Sequence, residues 1–190
     1  MKIGIFGGSF DPIHNSHLYV ATTALRELKL DKVLFVPCRK SPLPKKLIRA
    51  DTYARLNMLT LALKEKTLNC CYSNLASFEI EECELERKGK SFTIDTIKYL
   101  KEKYPNGELY LLIGKEAPDS LDTWKDIDKI KDLVQIKVAG IDYDIQYTNI
   151  SSTMIRDLVK RGKSISHLVP KDVEWYIEMM KLYRGKNAKN

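Results

Sequence analysis

The sequence predicts an α/β fold: a doubly wound parallel sheet with helices on both faces and a small helical segment toward its C-terminal end. Three observations carry that expectation. Short apolar runs over residues 2–6, 33–36 and 109–113 suit strands buried on both faces. They alternate with stretches whose apolar residues recur at three- and four-residue steps, the helical period. Each run stops at glycine or proline, namely Gly7-Gly8, Pro37 and Gly114. Strands alternating with helices at this spacing give βαβ units. Ligands of such sheets bind beyond the carboxyl ends of the strands, so the three stops mark the loops to inspect.

Taken in order, residues 2–6 read as a strand, and residues 18–28 as a helix with Leu18, Ala21, Leu25 and Leu28 on one side. Residues 33–36 form a second strand before Pro37, and a loop rich in proline and lysine runs to about Arg49. Asp51 or Thr52 caps a helix through Lys66. Residues 70–80 are strand-like but ambiguous. A helix over 93–103 ends at Tyr104-Pro105-Asn106-Gly107, and a strand over 109–113 stops at Gly114. A helix over 122–130 and a strand over 134–138 follow. Two helices close the chain, 153–161 ended by Gly162 and 171–183 opened by Pro170. One domain over residues 1–184 is expected, with its C-terminal helices from about 150 and a frayed tail over 185–190.

With 44% hydrophobic and 30% charged residues, the 190-residue chain belongs with globular rather than disordered sequences. No apolar run approaches the ~20 residues of a membrane span. The first residues lack a signal peptide's apolar region, so a cytoplasmic location is expected. Cys38, Cys70, Cys71 and Cys83 contain no C-x-x-C pair and read as small buried thiols. The net charge of +7 favours anionic partners, with clusters at Arg39-Lys40, Lys45-Lys46 and Lys160-Arg161. No aromatic-basic RNA motif accompanies it. Charge alone leaves nucleic acid, membrane lipid and small phosphorylated substrates all open, as it does a homo-oligomer.

The run Gly7-Gly8-Ser9-Phe10-Asp11-Pro12-Ile13-His14-Asn15-Ser16-His17 is the most informative in the chain. Gly7-Gly8 is expected to turn the backbone sharply through positive φ and let a ligand approach. The following N–H groups, at a helix start, can cradle an anion. Neither the Walker loop nor the G-x-G-x-x-G fingerprint is present. His14 and His17, two of the chain's three histidines, can face one way. Zinc would need a third ligand. A phosphate suits the pair better, since each imidazole can donate a hydrogen bond and, if protonated, offset charge.

A second constellation is Ile150-Ser151-Ser152-Thr153-Met154-Ile155-Arg156. Ser151 and Ser152 are natural N-caps, and the helix they open presents free N–H groups and a positive dipole end. Arg156, one turn inside, can reach the same anion. As a bare pattern this is also an ordinary structural cap.

The opening run resembles the G-x-F-D-P-x-H-x-G-H signature of the HIGH-type nucleotidyltransferase superfamily, closest to bacterial nicotinate-mononucleotide adenylyltransferases. The resemblance extends over nearly the whole chain and implies a Rossmann-like fold. It implies transfer of AMP from ATP to nicotinate mononucleotide, giving deamido-NAD and pyrophosphate, with Mg²⁺ accompanying ATP. The partners it implies are small phosphorylated substrates, with no nucleic acid and no membrane. His14, His17 and Arg156 would be catalytic. Gly7, Gly8, Ser9, Phe10, Ser16, Gly114, Glu116, Ile150, Ser151, Ser152 and Thr153 would bind ATP. Lys45, Ser91, Phe92, Thr93 and Trp124 would bind the pyridine mononucleotide, Trp124 by stacking. Residues 86–96 are similar to the family's R-x-G-x-S-Y-T-x-D-T element, whose helix entry faces the pyridine carboxylate and favours acid over amide. Four departures stand out: Ser16 for the usual Gly, Phe92 for Tyr, Glu116 for Asp, and no histidine in the loop after the second strand. They bear on the acceptor more than on the reaction. Alternatives are a relative acting on nicotinamide mononucleotide or another phosphorylated acceptor such as phosphopantetheine. A non-catalytic nucleotide- or RNA-binding protein is the alternative of a different class.

Overall fold

In the computed structural model, residues 1–42, 48–69, 77–114, 118–139 and 150–185 are described. Five parallel strands make one sheet in the order β3-β2-β1-β4-β5. β1 (Lys2–Gly8) lies at the centre between β2 (Lys32–Pro37) and β4 (Glu108–Ile113), with β3 (Ser77–Ile80) and β5 (Gln135–Val138) outside them. Ile3 registers with Lys32 on one side and with Leu109 on the other. The expected doubly wound architecture is the one observed.

Side chains alternate across a strand, so each apolar run feeds two cores. Phe6, Val33, Phe35, Tyr110 and Leu112 face one side. There they meet α1 (Asn15–Glu27), α2 (Thr52–Asn69), α6 (Ser152–Lys160) and α7 (Lys171–Met179) through residues such as Leu18, Met58, Ile155 and Val173. Ile3, Ile5, Leu34, Val36, Leu109, Leu111 and Ile113 face the other side. There they pack on α4 (Thr93–Lys103) and α5 (Ile127–Leu133) through Ile94, Ile97, Leu100 and Ile130. Each fully buried aliphatic side chain of this kind stabilises the fold by about 1.5–3 kcal/mol. This is why strands buried on both faces need no polar alternation.

The chain winds from β1 through β2 to β3 on one side, then crosses to β4 on the other side of β1. The carboxyl ends of β1 and β4 therefore diverge into different loops, leaving a crevice at this switch point. Gly8 closes β1 and Gly114 follows β4 at that crevice.

Local differences from expectation have physical causes. The helix expected over 122–130 is broken. A 3-10 turn, Pro118–Thr123, precedes α5, and Asp126 between them takes the left-handed conformation with φ 55°. The last helix stops at Met179 rather than Tyr183, because Lys181 (φ 52°) and Tyr183 (φ 62°) turn the chain back on itself. A four-residue helix, α3 (Cys83–Glu86), went unforeseen, since a single turn carries no periodicity. Of the ambiguous residues 70–80, 77–80 form β3 and 70–76 lie outside the described residues. Among the cysteines described, neither Cys38 nor Cys83 is in a disulfide; Cys83 is buried as expected, whereas Cys38 is only half-buried. No helix among the described residues is long and apolar enough to cross a membrane.

Candidate active site

The opening run leaves β1 later than its glycines suggested. Gly7 and Gly8 stay in the strand, registered with Val36 and Pro37, and neither has positive φ. The left-handed residue is Phe10, with φ 45°. The glycines matter for space instead. A Cβ on Gly8 would lie 2.9 Å from Phe10 Cζ, whereas one on Gly7 would meet nothing within 4 Å. Gly8 thus makes room for a core ring, and Gly7 leaves backbone open to the crevice. Phe10 is 1% exposed and packs with Phe6 and Phe35, so its side chain serves the core and only its backbone borders the site.

After the cis Asp11–Pro12 peptide, His14 caps α1. Its ring is 5% exposed and stacks on His17 with centroids 3.6 Å apart and planes 23° apart. His17 in turn meets the edges of Phe6 and Phe10. The His14 amide donates to His17 Nδ1 at 3.3 Å, which leaves Nε2 to carry the proton of a neutral His17 ring. Burial pushes the His14 imidazole down to about 3, so it is neutral near pH 7. Its Nδ1 is buried without a hydrogen-bond partner. The expectation that both histidines offset charge is corrected for His14: this ring offers a hydrogen bond, not a cation.

Asp11 organises everything behind the histidines. Its carboxylate is 1% exposed and accepts from the Arg49 amide at 2.7 Å, the Ala50 amide at 3.0 Å and the Tyr183 hydroxyl at 2.8 Å. Burial, and then the Asp11 charge, push the Tyr183 phenol above its ordinary value, so it remains a donor. Arg156 Nη1 donates to the Asp11 carbonyl at 2.7 Å and lies 3.9 Å from Oδ2.

The second constellation docks on the first. Ser151 caps α6, accepting from the Met154 amide at 3.2 Å, as the sequence suggested. Ser152 Oγ donates to the Pro12 carbonyl at 2.9 Å, and Arg156 Nη2 donates to Thr153 Oγ1 at 3.0 Å. Ile150, half-buried, packs against the first core. Asn15 at the start of α1 also donates its amide to the Leu168 carbonyl at 2.9 Å and its side chain to the His167 carbonyl. Two helix N-termini, α1 and α6, thereby converge on the loop after β1. Aligned N–H dipoles and an arginine beside two stacked imidazoles form a set of donors of the kind suited to phosphate groups.

The acceptor-side residues are placed less evenly. Ser91 is buried, its Oγ accepting from the Arg39 amide at 3.0 Å and its amide donating to Lys40 O at 2.9 Å, so it pins the loop after β2 to the start of α4. Phe92 caps α4 without a side-chain hydrogen bond, and Lys125 Nζ stands 4.7 Å from its ring centroid. Thr93 opens α4 and is half-buried. Trp124 lies in the turn between the 3-10 segment and α5, not within a helix, and packs half-buried against the second core. Gly114 is half-buried at the switch point. Ser16 is buried within α1. Lys45 and Glu116 lie outside the described residues.

Sequence reasoning missed three residues. Asp11 and Tyr183 form the hub, and Arg55, 1% exposed, donates to the Ser9 carbonyl at 2.8 Å and steadies the loop from below. Arg55 had a signal: it stands four residues before the buried Leu59, in line with the apolar stripe of α2. Among the described residues no group of three His, Cys, Asp or Glu side chains could hold a metal ion. Asp11, the carboxylate of the loop, is already committed to three donors. The donor set of the described residues does not build a protein-held Mg²⁺ site.

Comparison with known proteins places this geometry in context. The profile of the Cytidylyltransferase-like family matches residues 5–158. A nicotinate-nucleotide adenylyltransferase of Bacillus subtilis is 36% identical, with 97% of this chain and 99% of that protein covered. A probable nicotinate-nucleotide adenylyltransferase of Streptococcus pyogenes is 40% identical, covering 96% and 89%. Among solved structures, the Plasmodium falciparum nicotinic acid mononucleotide adenylyltransferase complexed with NaAD superposes with a TM-score of 0.76, over 96% of this chain and 97% of that one. At 21% identity that last likeness concerns the fold.

Proposed function

Since the chain belongs to the Cytidylyltransferase-like family, with nicotinate-nucleotide adenylyltransferases as relatives along nearly its whole length, we propose that it transfers AMP from ATP to nicotinate mononucleotide. The products are deamido-NAD and pyrophosphate. A phosphate oxygen of the mononucleotide attacks the α-phosphorus of ATP, the new P–O–P bond forms, and the bond to the β-phosphate breaks. Such a transfer needs positioning and charge stabilisation rather than a covalent nucleophile.

The observation that carries this reading is the docking of α6 on the loop after β1, with Ser152 on Pro12 O and Arg156 on Asp11 O. In it, Gly7 and Gly8 let the nucleotide approach the strand end, and Ser9, Phe10 and Ser16 border it by backbone. The His17 Nε2–H and a neutral His14 donate to the α-phosphate as charge builds there. The free N–H groups at the start of α6, Ser151 to Thr153, and Arg156 hold the departing pyrophosphate. Mg²⁺ enters as part of the MgATP substrate, where it screens the phosphate oxygens. Gly114 and Ile150 line the adenosine end, and the family resemblance assigns Glu116 to the same nucleotide. Thr93 and its neighbours present the α4 N-terminus to the pyridine carboxylate, which favours the acid over the amide. Trp124 stacks on the pyridine, Phe92 and Ser91 shape that end, and Lys45 adds charge.

Pyrophosphate release measured with ATP and a panel of acceptors tests the proposal. Turnover with nicotinate mononucleotide well above nicotinamide mononucleotide and phosphopantetheine is expected. Turnover confined to another acceptor would overturn the assignment of substrate, and salt-sensitive RNA binding without turnover would overturn the enzyme itself.

A further inference from the structure

The turn after α7 brings Tyr183 back to the loop after β1, and it does so on uncommon backbone. Lys181 (φ 52°) and Tyr183 (φ 62°) both lie in the left-handed region, which large side chains avoid. Such conformations persist where the surrounding contacts over-determine them, and they cluster at functional sites. Here the determining contact is the phenol, which donates to Asp11 Oδ1 at 2.8 Å. Three charged groups meet at this point, the Asp11 carboxylate and the guanidiniums of Arg55 and Arg156. Arg55 is tied to Ser9 O and Thr52 Oγ1. Arg156 has a carboxylate within reach yet does not close on it. Its Nη1 stays 3.9 Å from Asp11 Oδ2 and donates to the Asp11 carbonyl at 2.7 Å, while Nη2 donates to Thr153 Oγ1 in the first turn of α6. The part-buried ion pairs Lys32–Glu79 and Lys103–Glu81, by contrast, close to 2.9 and 2.7 Å. The difference lies in the carboxylate. Neutral donors, namely the Tyr183 hydroxyl and the Arg49 and Ala50 amides, already satisfy both oxygens of Asp11.

We infer that Tyr183 is a positioning residue for Arg156: its hydroxyl, by sharing the charge of Asp11, keeps the guanidinium off the carboxylate and held at the start of α6. Asp11 is 1% exposed, so bulk water does not replace a lost donor there. A buried carboxylate deprived of the phenol draws in the cation already 3.9 Å away, which is Arg156. Closed onto Oδ2, Arg156 leaves Thr153, and its charge is neutralised by Asp11 instead of facing an anion. This role rests on the proposed adenylyl transfer only for what Arg156 holds during the reaction; the contacts that aim the guanidinium are independent of the substrate.

Tyr183→Phe removes the donor and keeps the ring that fills the space. Steady-state kinetics with MgATP and nicotinate mononucleotide on the parent, Tyr183→Phe, Arg156→Ala and the double variant form a cycle, each chain being checked for folding by far-UV circular dichroism. On the parent background kcat should fall about tenfold, within the range for residues coupled through one hydrogen-bond network, with the acceptor KM unchanged. On the Arg156→Ala background the same change should cost less than about twofold, because the guanidinium it would misplace is gone. Equal losses on both backgrounds would leave the phenol a purely structural role and overturn the inference, as would a parental kcat in Tyr183→Phe. A second readout needs no turnover. In the chain labelled with ¹⁵N-arginine, the Arg156 Nε resonance, assigned by its loss in Arg156→Ala, should shift in Tyr183→Phe as the guanidinium closes on Asp11. An unshifted resonance would overturn the inference. A parent that turns over no acceptor while its Tyr183→Phe variant shows the shift would sink the adenylyl-transfer reading alone.

Discussion

Asp11→Asn removes one negative charge from the point where four parts of the chain meet. The carboxylate accepts from Arg49 N, Ala50 N and the Tyr183 hydroxyl at 2.7 to 3.0 Å while 1% exposed. An asparagine has one acceptor oxygen and one NH₂, so at least one of these donors would face another donor. A hydrogen bond to a buried charged group is worth about 1.5–3 kcal/mol, and an unsatisfied donor costs about 1–3 kcal/mol. The sum gives a loss of about 2.5–6 kcal/mol. For a chain of this length that corresponds to a fall in Tm of roughly 5–24 °C. Urea denaturation at pH 7 measures the change directly from the midpoint at constant slope. Tyr183→Phe should cost about 1–2 kcal/mol, and the double variant should cost less than the sum, since both remove the same bond. A midpoint for Asp11→Asn within 0.5 kcal/mol of the parent, a margin typical of a neutral surface change, would refute the reasoning that this carboxylate holds the loop, α6 and the last turn together.

Three further outcomes follow from the same geometry. His14 is neutral in the folded chain down to about pH 3, while an unfolded histidine protonates near 6.5. Between those values the unfolded state binds the extra proton, so stability is complete above pH 6.5 and falls by about 1.4 kcal/mol per pH unit on acidification. The slope of unfolding free energy against pH should lose that contribution in His14→Gln, and identical slopes would contradict the burial argument. Gly8→Ala places a Cβ 2.9 Å from the buried Phe10 ring and should destabilise by about 1–3 kcal/mol. Gly7→Ala meets no atom within 4 Å and should fold normally while raising KM for ATP, which thermal melts and steady-state kinetics separate. Trp124→Ala should raise the acceptor KM roughly tenfold and leave KM for ATP unchanged, given ~1–3 kcal/mol for a base on an aromatic face; parallel rises in both would place Trp124 in the fold rather than at the pyridine.

The parts legible in the sequence are those whose cause is local. Strand runs such as Val33–Val36 and Leu109–Ile113 announce burial on both faces, and Ser151 announces a helix start because its side chain accepts from the Met154 amide three residues on. The candidate site loop is legible because His14 and His17 follow paired glycines at a helix entry. What stayed hidden is what distant residues do to one another. Asp11 reads as a turn residue until Tyr183 returns to it from 172 positions away. The neutral state of His14 depends on burial under a stacked neighbour, which no spacing reveals. The role of the paired glycines was misread, because the left-handed turn falls on Phe10 and Gly8 serves packing. Asp126 likewise breaks an expected helix by adopting a conformation that most side chains avoid. On the acceptor side, Ser91 turned out to hold a loop through the Arg39 amide, a contact set by tertiary folding alone.

We propose that the stacked histidines at the start of α1 serve adenylyl transfer to nicotinate mononucleotide. Chromatographic quantification of deamido-NAD formed from MgATP and nicotinate mononucleotide, by the parent chain and by His17→Ala, tests it most directly. Deamido-NAD is expected from the parent, with a loss of about 10²–10³ in kcat for the variant, the cost of removing one donor to a developing oxyanion, and an unchanged circular dichroism spectrum. Deamido-NAD formed at equal rates by both chains, or by neither, would contradict it.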